Sequence, residues 1–202
     1  KMNRLLLLAL TVFLTGCLTP PSGSSAPTRY YRLSAPSESS VTDNASVLPA
    51  KVLLKVSLAD LIQTPRMALA ASDYEISYRE TQRFAEPLDL ALGKLLRDCL
   101  KSSVSSVEAV PASVNFAPDY RVEIFVEKAW GTTKGEVVLA ARWNISDSHG
   151  TIVATDAAVF SQKGWRESDF KGLAERLSRL GAELAKAIQK DLSSLDEKAK
   201  NT

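Results

Sequence analysis

Residues 120–127 read Tyr-Arg-Val-Glu-Ile-Phe-Val-Glu, a run in which apolar and charged side chains alternate with the two-residue period of a β-strand. The alternation returns at 137–146, and a further apolar strand pattern at 152–160 follows the turn sequence Asp-Ser-His-Gly. Three such runs joined by short turns predict an antiparallel meander with one apolar face. On the first run, the other face carries Phe125 among the charged residues Arg121, Glu123 and Glu127.

Shorter strands and a helix are predicted before the meander. Residues 29–33 and 51–56 are rich in β-favouring side chains, and 67–71 with 74–78 form a candidate hairpin around Ser72. A helix is expected after Pro87, because Pro is well tolerated in a first helical turn. Its apolar positions recur at steps of three and four, at Phe84, Leu88, Leu92, Leu95 and Cys99.

A second amphipathic helix is predicted from Ser168 to about Leu192, with a stripe of Leu, Phe and Ile at helical spacing. A helix lying in a lipid surface would show the same stripe, but the polar face here mixes acidic and basic residues. Packing against the sheet is therefore the favoured interpretation. The predicted fold class is α+β, an antiparallel β-sheet with two long amphipathic helices packed on one face.

The N-terminal residues indicate export and lipid attachment. A basic head, Lys1 to Arg4, precedes a short apolar run and then Leu14-Thr15-Gly16-Cys17. This ending resembles the lipobox of bacterial lipoproteins, in which the Cys is acylated and becomes the new N-terminus. A plain signal peptide with an incidental Cys is the alternative. Leu18 after the Cys resembles the sorting signal for the outer membrane.

The chain is accordingly divided into four parts. Residues 1–16 are a lipoprotein signal peptide, and 17–28 are the acylated Cys and a Pro/Ser-rich tether. Residues 29–195 form a single α+β domain, and 196–202 are a disordered tail. The apolar run before Cys17 is too short to remain as a membrane-spanning helix.

Composition and motifs argue against several classes of function. Lys1 and Arg4 are the only charged residues before Cys17, so the remaining chain is neutral overall and gives no case for nucleic acid as a partner. One His and two Cys, far apart in sequence, cannot build a Cys₄ or Cys₂His₂ zinc site, and no metal or cofactor is expected. No phosphate loop or hydrolase motif is present. Cys99 is expected in the core and His149 on a turn, which favours a non-enzyme.

The middle of the chain resembles the ABC-type transport auxiliary lipoproteins. The resemblance rests on four segments in the family's order: Tyr30-Tyr31-Arg32-Leu33, then residues 52–65, then Phe84-Ala85-Glu86-Pro87-Leu88, then the strands at 120–127 and 135–144. It covers essentially the whole chain. Ala59 and Asp60 depart from the family's Pro-x-Tyr, and Phe84 replaces its Trp.

This resemblance implies a non-catalytic accessory subunit of a phospholipid transport system. Its partner would be the MCE (mammalian cell entry) domain protein of a Pqi-like transporter, docked at the periplasmic face of the outer membrane. One alternative is a carrier that holds a lipid in its own cavity, and a second is an envelope hydrolase. A large apolar cavity between helices and sheet would favour the carrier, whereas a filled core would favour the docking subunit.

The candidate partner surface combines a loop and the polar face of the sheet. Leu61 and Ile62 precede a break at Pro65, and Phe125 lies among charged neighbours on its strand. Apolar side chains grouped outside a core are typical of a protein interface or of a homo-oligomer. The alternative is that the loop folds back and caps the core.

Overall fold

The computed structural model describes residues 26–36, 47–113 and 115–200 of the chain. The predicted signal peptide, Cys17 and most of the tether lie outside these ranges. A single turn of 3-10 helix spans Asp60–Ile62. The remaining elements are the strands β1 (Arg29–Tyr31), β2 (Leu48–Leu58), β3 (Arg66–Ala70), β4 (Ile76–Phe84), β5 (Val104–Ala109), β6 (Tyr120–Thr132), β7 (Glu136–Asp147) and β8 (Ile152–Lys163), with the helices α1 (Leu88–Leu100) and α2 (Phe170–Lys200).

The predicted meander forms the largest part of the sheet. β6 and β7 pair antiparallel with Ile124 opposite Trp143, and β7 and β8 pair antiparallel with Ile145 opposite Ala154. These apolar side chains point toward the helices, and Trp143 is 1% exposed. The alternation seen in the sequence therefore sets which face of each strand is buried.

The other strands make the sheet mixed. β2 lies parallel to β6 and to β5, and β3 lies parallel to the end of β6. The predicted hairpin of β3 and β4 is antiparallel, and β1 runs parallel to the end of β4. The α+β class is confirmed. β5 was not predicted, because its Val-Ser-Ser-Val-Glu-Ala sequence carries too few apolar side chains to stand out.

Both helices cover the same face of the sheet. α1 packs on β2 and β5, while α2 packs on β7, β8 and α1. Close approach of the helices depends on Gly181, where an added Cβ would lie 2.7 Å from a Leu95 methyl carbon. Trp143 also donates a hydrogen bond from Nε1 to Asp191 on α2, over 2.9 Å. α2 continues through residues 196–200, which the sequence analysis had assigned to a tail.

Side chains fill the layer between sheet and helices. Leu54, Val122 and Leu139 from the sheet and Leu96, Leu180 and Leu184 from the helices are fully buried, each at 0% exposure. Because these groups come from both layers, they pack against one another in one core. The filled core is the arrangement that favours a docking subunit over a carrier with an internal cavity.

Candidate functional site

The loop after β2 separates Leu61 from Ile62, which the sequence predicts to share the partner surface. Leu61 is 52% exposed, whereas Ile62 is 3% exposed and belongs to the core. Backbone hydrogen bonds fix this turn, from the Ile62 N–H to the Ala59 carbonyl and from the Ala59 N–H to the Val126 carbonyl, both 2.9 Å. Tyr78 Oη also donates to the Leu61 carbonyl over 2.8 Å. The expectation that Ile62 lies on the surface is wrong, because this turn aims it inward.

Phe125 lies on the sheet face that carries no helix, here called the open face. The Arg142 guanidinium stacks over its ring at 4.2 Å from the ring centroid, and Arg142 also forms an ion pair with Glu127 at 2.5 Å. Across the sheet, Phe125 is opposite Arg142, and Arg142 is opposite Ala157 of β8. The Arg142 guanidinium therefore covers one side of the Phe125 ring. Phe125, Arg142 and Ala157 form a row across the open face that ends on β8.

β8 presents apolar side chains at the border of this open face. Val159 is 71% exposed and Ile152 is 61% exposed, and both belong to β8, whose side chains are mostly exposed. Among the described residues β8 pairs only with β7, so its outer row of backbone N–H and C=O groups meets no described strand. A long exposed edge strand is a template for pairing with another chain.

Two grooves meet at Tyr30, at the end where the tether joins the domain. The first, here called the apolar groove, has a volume of about 650 Å³. Its apolar lining includes Tyr30, Leu58, Pro65, Phe84 and Pro87, contributed by β1, the end of β2 and the loop after it, the end of β4 and the start of α1. Three charged residues also line it: Arg83, Glu86 and Asp89. It is open to solvent, and Tyr30 itself is 65% exposed.

The second groove, here called the cationic groove, has a volume of about 620 Å³. It lies between the segment after β1 and the first half of α2, and Tyr30 lines it as well. Arg32, Lys171 and Arg179 contribute three positive charges against one negative charge, from Glu175. The Ser34 N–H donates to Ser178 Oγ over 3.2 Å, which holds the two segments together. The sequence gives no sign of this cluster, because its members lie far apart along the chain.

Neither Cys99 nor His149 lies in a groove or on the open face. Cys99 is half-buried on α1 and packs against the core, as the apolar spacing of the helix predicted. His149 is exposed in the turn between β7 and β8, where its backbone N–H donates to Asp147 Oδ1. Within the described ranges, no cluster of three His, Cys, Asp or Glu side chains is arranged to hold a metal ion.

The pKa values of Asp98 and Tyr120 are shifted, and both residues lie away from the two grooves. At Asp98, burial opposes ionisation, but hydrogen bonds and charge from Lys101 and Arg97 outweigh it and hold the pKa below its ordinary value. At Tyr120, burial and then the carboxylates of Asp196, Asp119 and Asp147 raise the pKa of the phenol. Each shift has a local structural cause, so neither identifies a reactive centre.

Among the described residues, no helix is both long enough and apolar enough to span a membrane.

A family model described as ABC-type transport auxiliary lipoprotein component matches residues 31–189. That match includes all of the strands apart from the first two residues of β1, the whole of α1, and α2 as far as residue 189. Among curated proteins, no relative matches the chain.

Solved structures share the fold at low sequence identity. The crystal structure of an uncharacterized protein superposes with a TM-score of 0.65 at 16% identity, covering 82% of this chain and 99% of that chain. A crystal structure of a Xanthomonas campestris protein of the DUF330 family gives a TM-score of 0.65 at 15% identity, covering 86% of this chain and 96% of that chain. At these identities the likeness shows the shared fold alone.

Proposed function

Because the chain belongs to the family of ABC-type transport auxiliary lipoprotein components, we propose that it is a non-catalytic accessory subunit of a phospholipid transport system. Lipid on Cys17 anchors it at the periplasmic face of the outer membrane. There it docks the MCE-domain protein of a Pqi-like transporter. The family supplies the transport role, and the anchor, the membrane and the partner are the parts that we propose.

The observation that carries the docking role is the contrast between the two faces of the sheet. The helix face is filled, with side chains such as Trp143 at 1% exposure. The open face ends in an edge strand with Val159 and Ile152 exposed. An exposed apolar border beside a row of available backbone groups supplies both the apolar contact and the hydrogen bonds of strand addition.

The partner surface that we propose runs from Phe125 through Arg142 to Val159 on the open face. Arg142 covers Phe125 in this structure, and a carboxylate on the partner could attract the guanidinium while the ring is buried. Leu61 is a second proposed contact, since 52% of it is exposed. Ile62 is not part of the surface.

The structure weakens the lipid-carrier alternative in its simplest form. A carrier with a cavity between helices and sheet would lack the interlocking Leu54, Leu96 and Leu180, which are fully buried. Any lipid would therefore have to lie in an open groove at the surface. The hydrolase alternative would have to use His149, which lies on an exposed turn rather than in a groove.

Docking is tested by co-purification of an affinity-tagged full chain from solubilised membranes, with bound proteins identified by mass spectrometry. We expect the MCE protein with the wild-type chain and its loss when Val159→Glu and Ile152→Glu are combined. Tyr74→Glu is the matched control, because Tyr74 is fully exposed, at 100%, but lies in the loop between β3 and β4. Undiminished recovery of the MCE protein with the double variant would move the interface elsewhere.

Self-association and anchoring need separate measurements. Light scattering of the same variants shows whether the open face also joins copies of the chain, which the exposed edge allows. Labelling with palmitate tests the anchor. Cys17→Ala should abolish the label and release the unacylated chain from the outer-membrane fraction. Continued palmitate incorporation in that variant would reject acylation at Cys17.

A further inference from the structure

The surface where the tether enters the domain combines the three features that bind a phospholipid bilayer. It carries an exposed aromatic ring with a polar tip at Tyr30, a cationic groove on one side and an apolar groove on the other. Tyr side chains favour membrane interfaces because the ring is apolar and the hydroxyl is hydrated. We propose that this surface, here called the root face, docks on anionic phospholipid of the membrane that holds the chain.

The charge of the root face favours a phosphate-bearing surface. Among the described residues, Glu175 is the only acidic one that lines the cationic groove, and Lys171 pairs with it at 3.6 Å. The apolar groove adds Arg83 against Glu86 and Asp89, and Glu86 is paired with Lys94. Within the described part of the chain, Arg32 and Arg179 make no ion pair, so no described carboxylate competes with an external anion for their guanidinium groups. This local excess of positive charge stands out because the chain carries almost no net charge, +2 over all 202 residues.

The apolar groove supplies the second half of the contact. Pro65 and Pro87 lie on its wall together with Tyr30, next to the cationic groove. Apolar groups beside cations suit the boundary between headgroups and acyl chains, because the apolar groups contact the acyl chains while the cations contact the phosphates. A protein partner for the same surface would need acidic groups beside apolar ones, and the experiment below separates that case.

The anchor makes even weak docking effective. The residues from Cys17 to Arg29 can span at most about 40 Å at about 3.3 Å each, so an anchored chain keeps the root face within that distance of the bilayer. Tethering of this kind raises the local concentration of one surface at the other to the millimolar range. The contribution of the anchor rests on the acylation proposed above, whereas the affinity of the root face for lipid does not.

The direction of β4 shows which end of the domain lies far from the root face. β1 pairs with the end of β4 at residues 82–84, whereas the loop that holds Tyr74 precedes the start of β4 at Ile76. At about 3.3 Å per residue, β4 separates the two tyrosines by roughly 25–30 Å. Tyr74 is therefore an internal reference that a membrane under the root face leaves exposed.

The test is hydroxyl-radical labelling of the full chain with vesicles of phosphatidylglycerol and phosphatidylcholine, compared with vesicles of phosphatidylcholine alone. Oxidation of Tyr30 and Tyr74 is quantified by mass spectrometry of the same digest, and the N-terminal peptide shows separately whether Cys17 carries lipid. We expect at least a threefold protection of Tyr30 on the anionic vesicles, removed by high salt, with no change at Tyr74.

Charge variants connect that protection to the cationic groove. Each Lys or Arg near an anionic surface changes binding about fivefold, so Arg32→Gln with Arg179→Gln should weaken sedimentation of the chain with anionic vesicles about 25-fold. Lys134→Gln with Lys163→Gln is the control, because it removes the same charge around the turn between β6 and β7. Thermal melting confirms that both double variants are folded.

Three results would overturn the proposal. Equal oxidation of Tyr30 on both vesicle types would show that the root face does not contact anionic lipid. Protection of Tyr30 on neutral vesicles that is insensitive to salt would show burial by another means. Equal weakening by the control variant would show that only net charge matters. None of these outcomes depends on the MCE partner, so docking of the transporter and docking of lipid can fail independently.

Discussion

Replacing Leu61 and Ile62 by Asp one at a time should give two very different free energies of unfolding. Ile62 is 3% exposed, so its side chain contributes about 1.5–3 kcal/mol through burial. A carboxyl group buried to the same extent would cost about 1–3 kcal/mol more, because it loses its hydration without gaining a hydrogen-bond partner. We expect Ile62→Asp to destabilise the protein by about 4 kcal/mol, which lowers the melting temperature by roughly 8–16 °C at this chain length.

Leu61→Asp should cost about 1 kcal/mol or less, because 52% of the Leu61 side chain is already in water. Its structural contact, the hydrogen bond from Tyr78 Oη, goes to the backbone carbonyl and survives the substitution. The two variants carry the same new charge at adjacent positions, so long-range electrostatics is matched.

The assay is urea unfolding followed by circular dichroism, with Ile62→Val as a control that removes one methylene and should cost about 1 kcal/mol. Equal losses of stability for Leu61→Asp and Ile62→Asp would refute the orientation of this turn. It would also remove Leu61 from the proposed partner surface.

Other predictions follow from single contacts. Gly131→Ala should destabilise the protein by about 1–3 kcal/mol in urea unfolding, since the new Cβ would lie 2.3 Å from the Trp165 ring; Gly93→Ala, where the nearest side-chain atom is at 3.4 Å, should be neutral or stabilising. His149→Ala should leave the transport phenotype and the melting temperature unchanged, and loss of transport in a folded variant would revive the hydrolase alternative. The depressed pKa of Asp98 adds stability that is complete above the ordinary carboxyl pKa and lost as the pH falls through the lower, folded value; Asp98→Asn should therefore flatten the stability profile at acid pH, and an unchanged profile would show that the pairs with Lys101 and Arg97 contribute nothing.

The sequence predicted the strands and helices whose side chains repeat with a clear period. Alternation at 120–127 placed Ile124 on the buried face of β6, and the Leu spacing of 173–192 located the body of α2. Both patterns arise because one face of the element is buried and the other is in water. The same argument fails for β5, where Ser occupies positions along a short edge strand.

The parts of the site that the sequence could not predict depend on tertiary geometry. Leu61 and Ile62 are equally apolar, and only the 3-10 turn after β2 decides which of them is buried. Arg32 and Arg179 line one groove because β1 lies beside α2. The parallel pairing of β1 with β4 joins segments that are far apart in the sequence, so it leaves no local signal there. The sequence pattern of a strand or helix predicts which of its faces is buried, whereas tertiary packing determines which elements come into contact.

The most direct measurement of the docking role is photocrosslinking in living cells from the open face. A photoreactive phenylalanine analogue is placed at Val159, with the same substitution at Tyr74 as the reference, since both positions are exposed. Crosslinked adducts are isolated through a tag on the full chain and identified by mass spectrometry. We expect the MCE protein in the adduct from Val159 and its absence from the adduct at Tyr74. An adduct with the MCE protein from Tyr74, and none from Val159, would contradict docking through the open face.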